Sequence, residues 1–321
     1  MLLFITYKYL YDYKNEELCW NNSSLSFCIK VLKIGKKDIS LQKYVKMIKC
    51  IIHLADIHIR NFVRLEEYSE QLAKVVDKCK EIASKYNKDE VRIVISGDLV
   101  HSKNTISNEL MVFASYFLRE LEEIATVIVI AGNHDLIVEN QTRTDTMTAL
   151  FDTADFKNCK FLDAMLDYKS GCAIDNNVVW CLYSIYEDFL RPTTIEETRE
   201  AHPNSKFIGL FHGQIVGSTL NNGYVSDSGL DGDAFEGCDC VMAGHLHKRQ
   251  VLKRGDVEIV YPGSLIQQSY GETVSQHGFA VWDVENMSCE FIDIDSDYGL
   301  YDIEINAVDD VDEDKERLIN F

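Results

Sequence analysis

From Cys50 onward, short apolar runs alternate with amphipathic stretches, and the apolar runs end in small clusters of polar residues. CIIHLA (50–55) has strand length and ends at Asp56. The next stretch places Leu65, Leu72, Val75, Val76, Cys79 and Ile82 on one helical face. VRIVI (91–95) reads as a second buried strand, ending at Gly97-Asp98. Leu110, Phe113, Phe117, Leu118 and Leu121 then mark a second helix, and TVIVIA (126–131) a third strand ending at Gly132-Asn133. Three strand, polar site, helix units predict a layered α/β fold with polar residues at the carboxyl ends of its strands.

The second half is richer in strands. CAIDNNVVWCLYSIY reads as a hairpin turning at Asn176-Asn177, KFIGLF as a strand feeding His212, and CDCVMA as one feeding His245. QVLKRGDVEIVYPG reads as a hairpin turning at Arg254-Gly255-Asp256, while HGFAVWDV and CEFIDID alternate like strands. The expected organisation is a single domain over 47–296. It is preceded by an extension (1–46) that shows no matching period and reads as an appendage or an upstream extension of the reading frame. An acidic tail (297–321) follows it. No repeat or low-complexity tract is present.

Composition narrows the class. A hydrophobic content of 46% over 321 residues suits a globular protein with a large core. The ten cysteines are scattered without a CxxC pair, so free thiols and a reducing compartment are expected. The start, MLLFITYKYLYDYK, lacks the parts of a signal peptide, and no apolar run approaches membrane-span length, so the protein is expected to be soluble and intracellular. The net charge of −20 is uneven: residues 1–49 carry nine lysines against four acids, and the tail is the most acidic part. That charge counts against nucleic acid as a partner, because such binding neutralises phosphates with Lys and Arg. Divalent cations bound among the polar motifs would reverse it locally.

Six of the nine histidines fall in the motifs DIH (Asp56, His58), GDLVH (Asp98, His101), GNHD (Asn133, His134), FHG (His212) and GHLH (His245, His247). Any one of these alone reads as an ordinary polar turn or a core histidine. Together they supply seven oxygen and nitrogen donors at successive strand ends, the set a pair of divalent ions needs for phosphoester cleavage. Asp56 and His58 stand two apart, so in an extended segment both would face one ion. Asp98 has two oxygens with which to bridge two ions. His134, beside the neutral donor Asn133, is free to act as a proton donor. His53 lies inside a strand and reads as structural, and His202 and His277 are given no role.

The order of these motifs resembles that of the calcineurin-like metallophosphoesterase superfamily, over roughly residues 48 to 265. The resemblance implies a four-layer α/β/β/α sandwich with a dinuclear site. Within the superfamily, HLADIHIR, the His101 of GDLVH, the GNHD ending and YPGSLIQQSYGE are similar to the SbcD branch, the nuclease subunit of the SbcCD/Mre-type DNA repair complex. Carried over, the likeness implies one metal held by Asp56, His58, Asp98 and His247, and a second by Asp98, Asn133, His212 and His245. His134 would be the general acid, with His101 orienting it or the phosphate. Manganese is the expected metal. DNA and an SMC-like ATPase of SbcC type are the partners this implies, with a homodimer admitted and no membrane partner. The expected location is cytoplasmic or nucleoid-associated, with a viral origin compatible with the compact length.

The expected function is a manganese-dependent DNA exonuclease or endonuclease acting in repair or recombination. The alternatives are a phosphodiesterase or phosphatase on small nucleotides or phosphoproteins, and, from another class, a non-catalytic subunit of a DNA-processing complex. The acidity and the short stretch after the YPGS segment, without a capping domain or partner-docking helix, favour the first alternative.

Overall fold

The computed structural model describes residues 47–103, 106–137 and 143–301. The expectations for the extension 1–46 and for the tail beyond Tyr301 lie outside these residues.

The first half builds β1 (Cys50–Leu54), α1 (Leu65–Ala83), β2 (Val91–Ser96), α2 (Asn108–Ile124), β3 (Thr126–Ile130), α3 (Thr146–Thr153), β4 (Cys159–Phe161) and α4 (Leu162–Met165). The second builds β5 (Gly171–Asp175), β6 (Val178–Tyr183), α5 (Ile195–Ala201), β7 (Lys206–His212), β8 (Cys240–Gly244), β9 (Gln250–Arg254), β10 (Val257–Tyr261), β11 (Gly278–Asp283) and β12 (Ser288–Asp293). These strands form two mixed six-stranded sheets, ordered β12-β11-β1-β2-β3-β4 and β5-β6-β7-β8-β10-β9. In each, four strands run parallel and the antiparallel partners lie outside them.

Strand alternation explains the layers. Ile52, Leu54, Ile93, Ile95, Val127 and Val129 face Leu72, Val75, Val76 and Cys79 of α1 and Leu110, Ala114, Phe117 and Leu118 of α2. Their neighbours Ile51, Val94, Ile128 and Ile130 point the other way, onto Trp180, Leu182, Ile208, Leu210, Met242 and Val260 of the second sheet. The outer face of that sheet buries Tyr183, Phe207, Phe211, Val241, Ile259 and Tyr261 beneath Ile195, Phe235 and Leu246. This is the four-layer α/β/β/α sandwich, although its last layer is only the seven-residue α5 and connecting segments.

The departures from the sequence expectation are local. Leu65 opens α1 but is exposed, and Phe113 is only half-buried. The strand β4 and the short helices α3, α4 and α5 carry too few residues to show a period. The β9–β10 loop is two residues, Gly255 and Asp256, since Arg254 pairs with Val257. All the described cysteines are free thiols.

The two sheets are tied at one end by a largely buried ion pair, Arg92 buried and Asp175 part-buried. Arg92 of β2 donates from Nε (2.6 Å) and Nη2 (2.8 Å) to the carboxylate of Asp175 on β5. Its Nη1 donates to the carbonyls of Asp89 and Val91. Burial would raise the Asp175 carboxyl, but Arg92 outweighs it and holds the group below the ordinary carboxylate range. Arg92→Met leaves that part-buried carboxylate with only the long contact from Trp180 Nε1–H (3.4 Å), so a loss of about 3 kcal/mol is expected in urea unfolding at neutral pH. A folded pKa below the unfolded value of about 3.9 means the stabilisation is present above that value and lost as pH falls through the folded one. The gap between wild type and variant should therefore shrink below about pH 4. A gap independent of pH would show that the arginine acts only by packing.

Candidate metal centre

The motif residues sit where the parallel strands of both sheets end. Asp56 follows β1, Asp98 follows β2, Asn133 follows β3, His212 ends β7 and His245 follows β8. Asp56 (φ 50), His58 (φ 52), Asp98 (φ 54) and His245 (φ 96) are all left-handed, a costly conformation away from glycine that marks sites where backbone strain serves side-chain placement. The DIH segment is therefore not extended, contrary to the pleat argument. Two left-handed residues, not strand alternation, turn Asp56 and His58 onto the same centre. Gly97 has φ +90, and a side chain there would run into the His212 imidazole. A side chain at Gly132 would run into the Asp98 carboxylate. These glycines let the ligand-bearing turns of different strands touch.

Two donor groups result. Asp56, His58 and His247 converge in one, and Asp98, His212 and His245 in the other. His58 Nε2 lies 3.0 Å from His247 Nε2, 3.9 Å from Asp56 Oδ1 and 3.4 Å from Asp98 Oδ2. Asp98 Oδ2 also lies 3.3 Å from His212 Nε2, so this carboxylate stands between the two groups. Asn133 Oδ1 faces His212 Nε2 at 3.3 Å and His245 Nδ1 at 2.9 Å. All seven residues named from the sequence as metal donors are thus brought together.

His134 lies beside the groups. Its backbone N–H donates to Asp98 Oδ1 (2.8 Å), and its Nδ1–H to the carbonyl of His101 (2.7 Å). The His101 ring stacks on it, with centroids 5.2 Å apart. The hydrogen bond that holds His134 comes from the backbone of His101, whose ring packs alongside. A third convergence, His58 with His101 and His134, shares His58 with the first donor group.

Residues that sequence reasoning gave no role complete the site. His212 Nδ1 donates to the Ser96 carbonyl (2.7 Å), and His247 Nδ1 to Glu272 Oε1 (2.8 Å). Each anchor fixes the tautomer and turns the Nε2 lone pair toward the centre, as carboxylates and carbonyls do behind metal-binding histidines. Glu272 in turn accepts from Ser264 Oγ (3.0 Å) and the Gln268 N–H (2.9 Å), and Ser264 reaches His277 at 3.1 Å. Glu272 closes the YPGSLIQQSYGE segment, so that segment was its only sequence signal. Asp135, the last residue of GNHD, accepts from the N–H groups of Val100 (3.0 Å) and Gly132 (2.9 Å) and ties the Asp98 turn to the Asn133 turn. Its burial and the nearby Asp98 push its pKa up to about 7. His53 is buried and bonded to Ser96 Oγ at 2.7 Å, a structural place.

The electrostatics follow from burying so many ionisable groups together. Burial raises Asp56 to about 6, against the pull of His212 and His247. Burial works the same way on Asp98, but His212, His58 and His134 outweigh it and hold its carboxyl well below the usual range. Burial lowers His58 far below its ordinary value and His245 to about 4. His212 goes up to about 9 because the Asp98 carboxylate outweighs its burial.

The donor chemistry fits divalent cations. Imidazole nitrogens are mixed with carboxylate and amide oxygens, and the second nitrogens of His212 and His247 are anchored away from the centre. His58 Nε2 and His247 Nε2 approach to 3.0 Å, a contact in which one ring donates to the other unless a cation lies between them. Glu272→Gln keeps the shape but removes the charge behind His247, and should weaken divalent-metal binding by about tenfold. Titration calorimetry with Mn²⁺ measures this, and an unchanged affinity would leave Glu272 a purely structural tie.

Comparison with known proteins agrees with this geometry. The model of the calcineurin-like phosphoesterase superfamily domain matches residues 50–287, which extends past the YPGS segment to the β11–β12 turn. An uncharacterized protein of Acanthamoeba polyphaga mimivirus is 34% identical over 265 residues, 80% of this chain but 19% of that protein. The SbcD component of the SbcCD nuclease of Staphylococcus epidermidis is 23% identical over 74% of this chain and 66% of its own. Its counterpart in Staphylococcus saprophyticus is 25% identical over 84% and 77%. The chain thus spans a fifth of the viral relative and about two thirds of the first bacterial one. With its family model covering most of the chain, the protein belongs to the calcineurin-like phosphoesterase superfamily.

Proposed function

We propose that this chain is a manganese-dependent DNA nuclease of SbcD type, cleaving phosphodiester bonds in repair or recombination. The observation that carries the reading is the placement of His134. It lies outside the two donor groups yet is held against them through Asp98 and the His101 carbonyl, as a proton donor to a leaving oxygen must be. The likeness to the SbcD components of two SbcCD nucleases supports DNA as the substrate.

In this reading Asp56, His58, Asp98 and His247 hold one cation, and Asp98, Asn133, His212 and His245 the other. When bound, the pair would supply Lewis acidity and lower the pKa of water at this centre. The chain's own residues do the rest. Asp98 spans both positions, while Ser96 and Glu272 keep two imidazoles in register. His134 donates Nδ1–H to the His101 carbonyl, which leaves its other ring nitrogen to serve the leaving sugar oxygen. In the SbcD setting an ATPase of SbcC type would be the partner.

The test incubates the metal-stripped protein with linear duplex DNA, 3′-labelled single strands and bis-p-nitrophenyl phosphate, adding Mn²⁺ or Mg²⁺. Degradation of DNA, restored better by Mn²⁺ because the site is rich in imidazole, is the expected result. Turnover of the small diester alone would move the reading to small nucleotides, which the net charge of −20 favours. Bound metal without turnover of any substrate would move it to a non-catalytic subunit.

A further inference from the structure

On the outer face of the second sheet, β5 and β6 place two cysteines side by side. Cys172 and Cys181 are directly opposite partners in the antiparallel pairing, and their sulfurs lie 3.8 Å apart, in contact and unbonded. Directly opposite residues of such a pair have Cα atoms about 4.5–5.5 Å apart, inside the range of roughly 4.4–6.8 Å that a disulfide spans. A bond between them therefore asks for side-chain rotation, not for movement of the strands. Neither thiol takes part in the metal centre.

The two thiols are not equivalent. Cys181 is buried among the residues packed with Ile195 and Phe235, whereas Cys172, on the edge strand of the sheet, is half-buried. The contact with Cys181, the hydroxyls of Thr194 and Thr198 and the nearby Arg191 cation outweigh its burial and hold the Cys172 thiol down at about 7. Its contacts with Cys172 and Cys238, and then burial, push Cys181 far up. A partly exposed thiol with thiolate character beside a protonated one is the arrangement of an attacking cysteine and its resolving partner. Cys238, which also interacts with Cys181, is buried. Burial pushes Cys50 up to about 11 and Cys79, Cys159 and Cys240 far up, so these thiols stay protonated and inert.

We propose that Cys172 and Cys181 are a peroxide-sensitive dithiol, which closes to a disulfide when hydrogen peroxide rises and reopens on reduction by a thiol. The Cys172 thiolate attacks the peroxide, the O–O bond breaks, and a sulfenic acid forms with release of water. The Cys181 sulfur then attacks the Cys172 sulfur, the S–O bond breaks, and the Cys181 proton leaves with the hydroxide as a second water. The two thiols lose two electrons and two protons in all, and one peroxide is reduced to water. The bond fastens the edge strand β5 to β6. Because β5 also carries Asp175, the partner of Arg92, the oxidised form holds the tie between the two sheets more firmly than the reduced one.

The experiment treats the full chain with hydrogen peroxide and then blocks the remaining thiols with N-ethylmaleimide in denaturant. Mass spectrometry follows cleavage, without reductant, at Asp175, which lies between the two cysteines. The expected product is a pair of peptides joined through Cys172 and Cys181, two hydrogens lighter than the separate thiol peptides and released by dithiothreitol. Cys50, Cys79, Cys159 and Cys240 should carry the maleimide. Cys181→Ser should stop at the sulfenic acid, which dimedone traps at Cys172, and Cys172→Ser should form no bond. In wild type the urea midpoint should rise on oxidation and return on reduction. A bond joining Cys181 to Cys238, Cys172 left as a free thiol, or Cys172 carried on to sulfinic acid without a bond overturns the proposal. A Cys172–Cys181 bond that leaves the midpoint unchanged overturns its role as a tie.

Discussion

Asp98→Asn should lower phosphodiester hydrolysis by about a thousandfold or more, equivalent to ~4 kcal/mol of transition-state stabilisation, while leaving the fold in place. Asparagine has the same shape and tolerates the left-handed backbone at φ 54, so the turn after β2 survives the change. What disappears is the charge between the two donor groups. Asp98 Oδ2 lies within hydrogen-bonding range of both His58 Nε2 (3.4 Å) and His212 Nε2 (3.3 Å), a position no other carboxylate among the described residues occupies. Removing it weakens both cation positions together. Thermal unfolding with and without Mn²⁺ separates this from misfolding. Wild type should gain about 2.7 kcal/mol of stability when Mn²⁺ is at a hundred times its dissociation constant, and the variant should gain far less. A variant that keeps both the Mn²⁺ stabilisation and the activity would remove Asp98 from the centre.

His134→Gln should lower kcat on DNA by about 10²- to 10⁴-fold, the usual contribution of a positioned general acid, with metal binding retained. The substrate dependence is the sharper prediction. A sugar alkoxide needs a proton as it leaves, whereas p-nitrophenolate departs as a stable anion at neutral pH. The loss on bis-p-nitrophenyl phosphate should therefore be much smaller than on DNA. Equal losses on both substrates, together with lost metal, would instead make His134 a donor in the His58, His101 and His134 convergence. Because the His101 carbonyl holds His134, His101→Ala should cost less than His134→Gln.

Much of this site could be read in the sequence, because its residues come in short motifs tied to strand ends. Asp56, Asp98, Asn133, His212 and His245 each follow or end an apolar run, and strands of a parallel sheet bring such ends to one edge. Glu272 was harder to see. It stands 25 residues after His247 and reaches it only because the segment from Tyr261 folds back beneath the centre. A lone glutamate in a polar turn carries no period and no partner that a linear reading can detect. Ser96 was invisible for another reason: it acts through its carbonyl, which every residue possesses.

The sequence by itself determined the alternation of buried strands and amphipathic helices, the donor types and the reaction class, since these depend on residue identity and local spacing. Only the tertiary structure decided how DIH converges, which it does by left-handed turns, and which part of His101 acts. It also set the anchors behind two of the imidazoles, the Ser96 carbonyl behind His212 and Glu272 behind His247. The physical reason is that coordination geometry and anchoring are set by atoms far apart in the chain, whose approach depends on sheet packing and on glycines small enough to permit it.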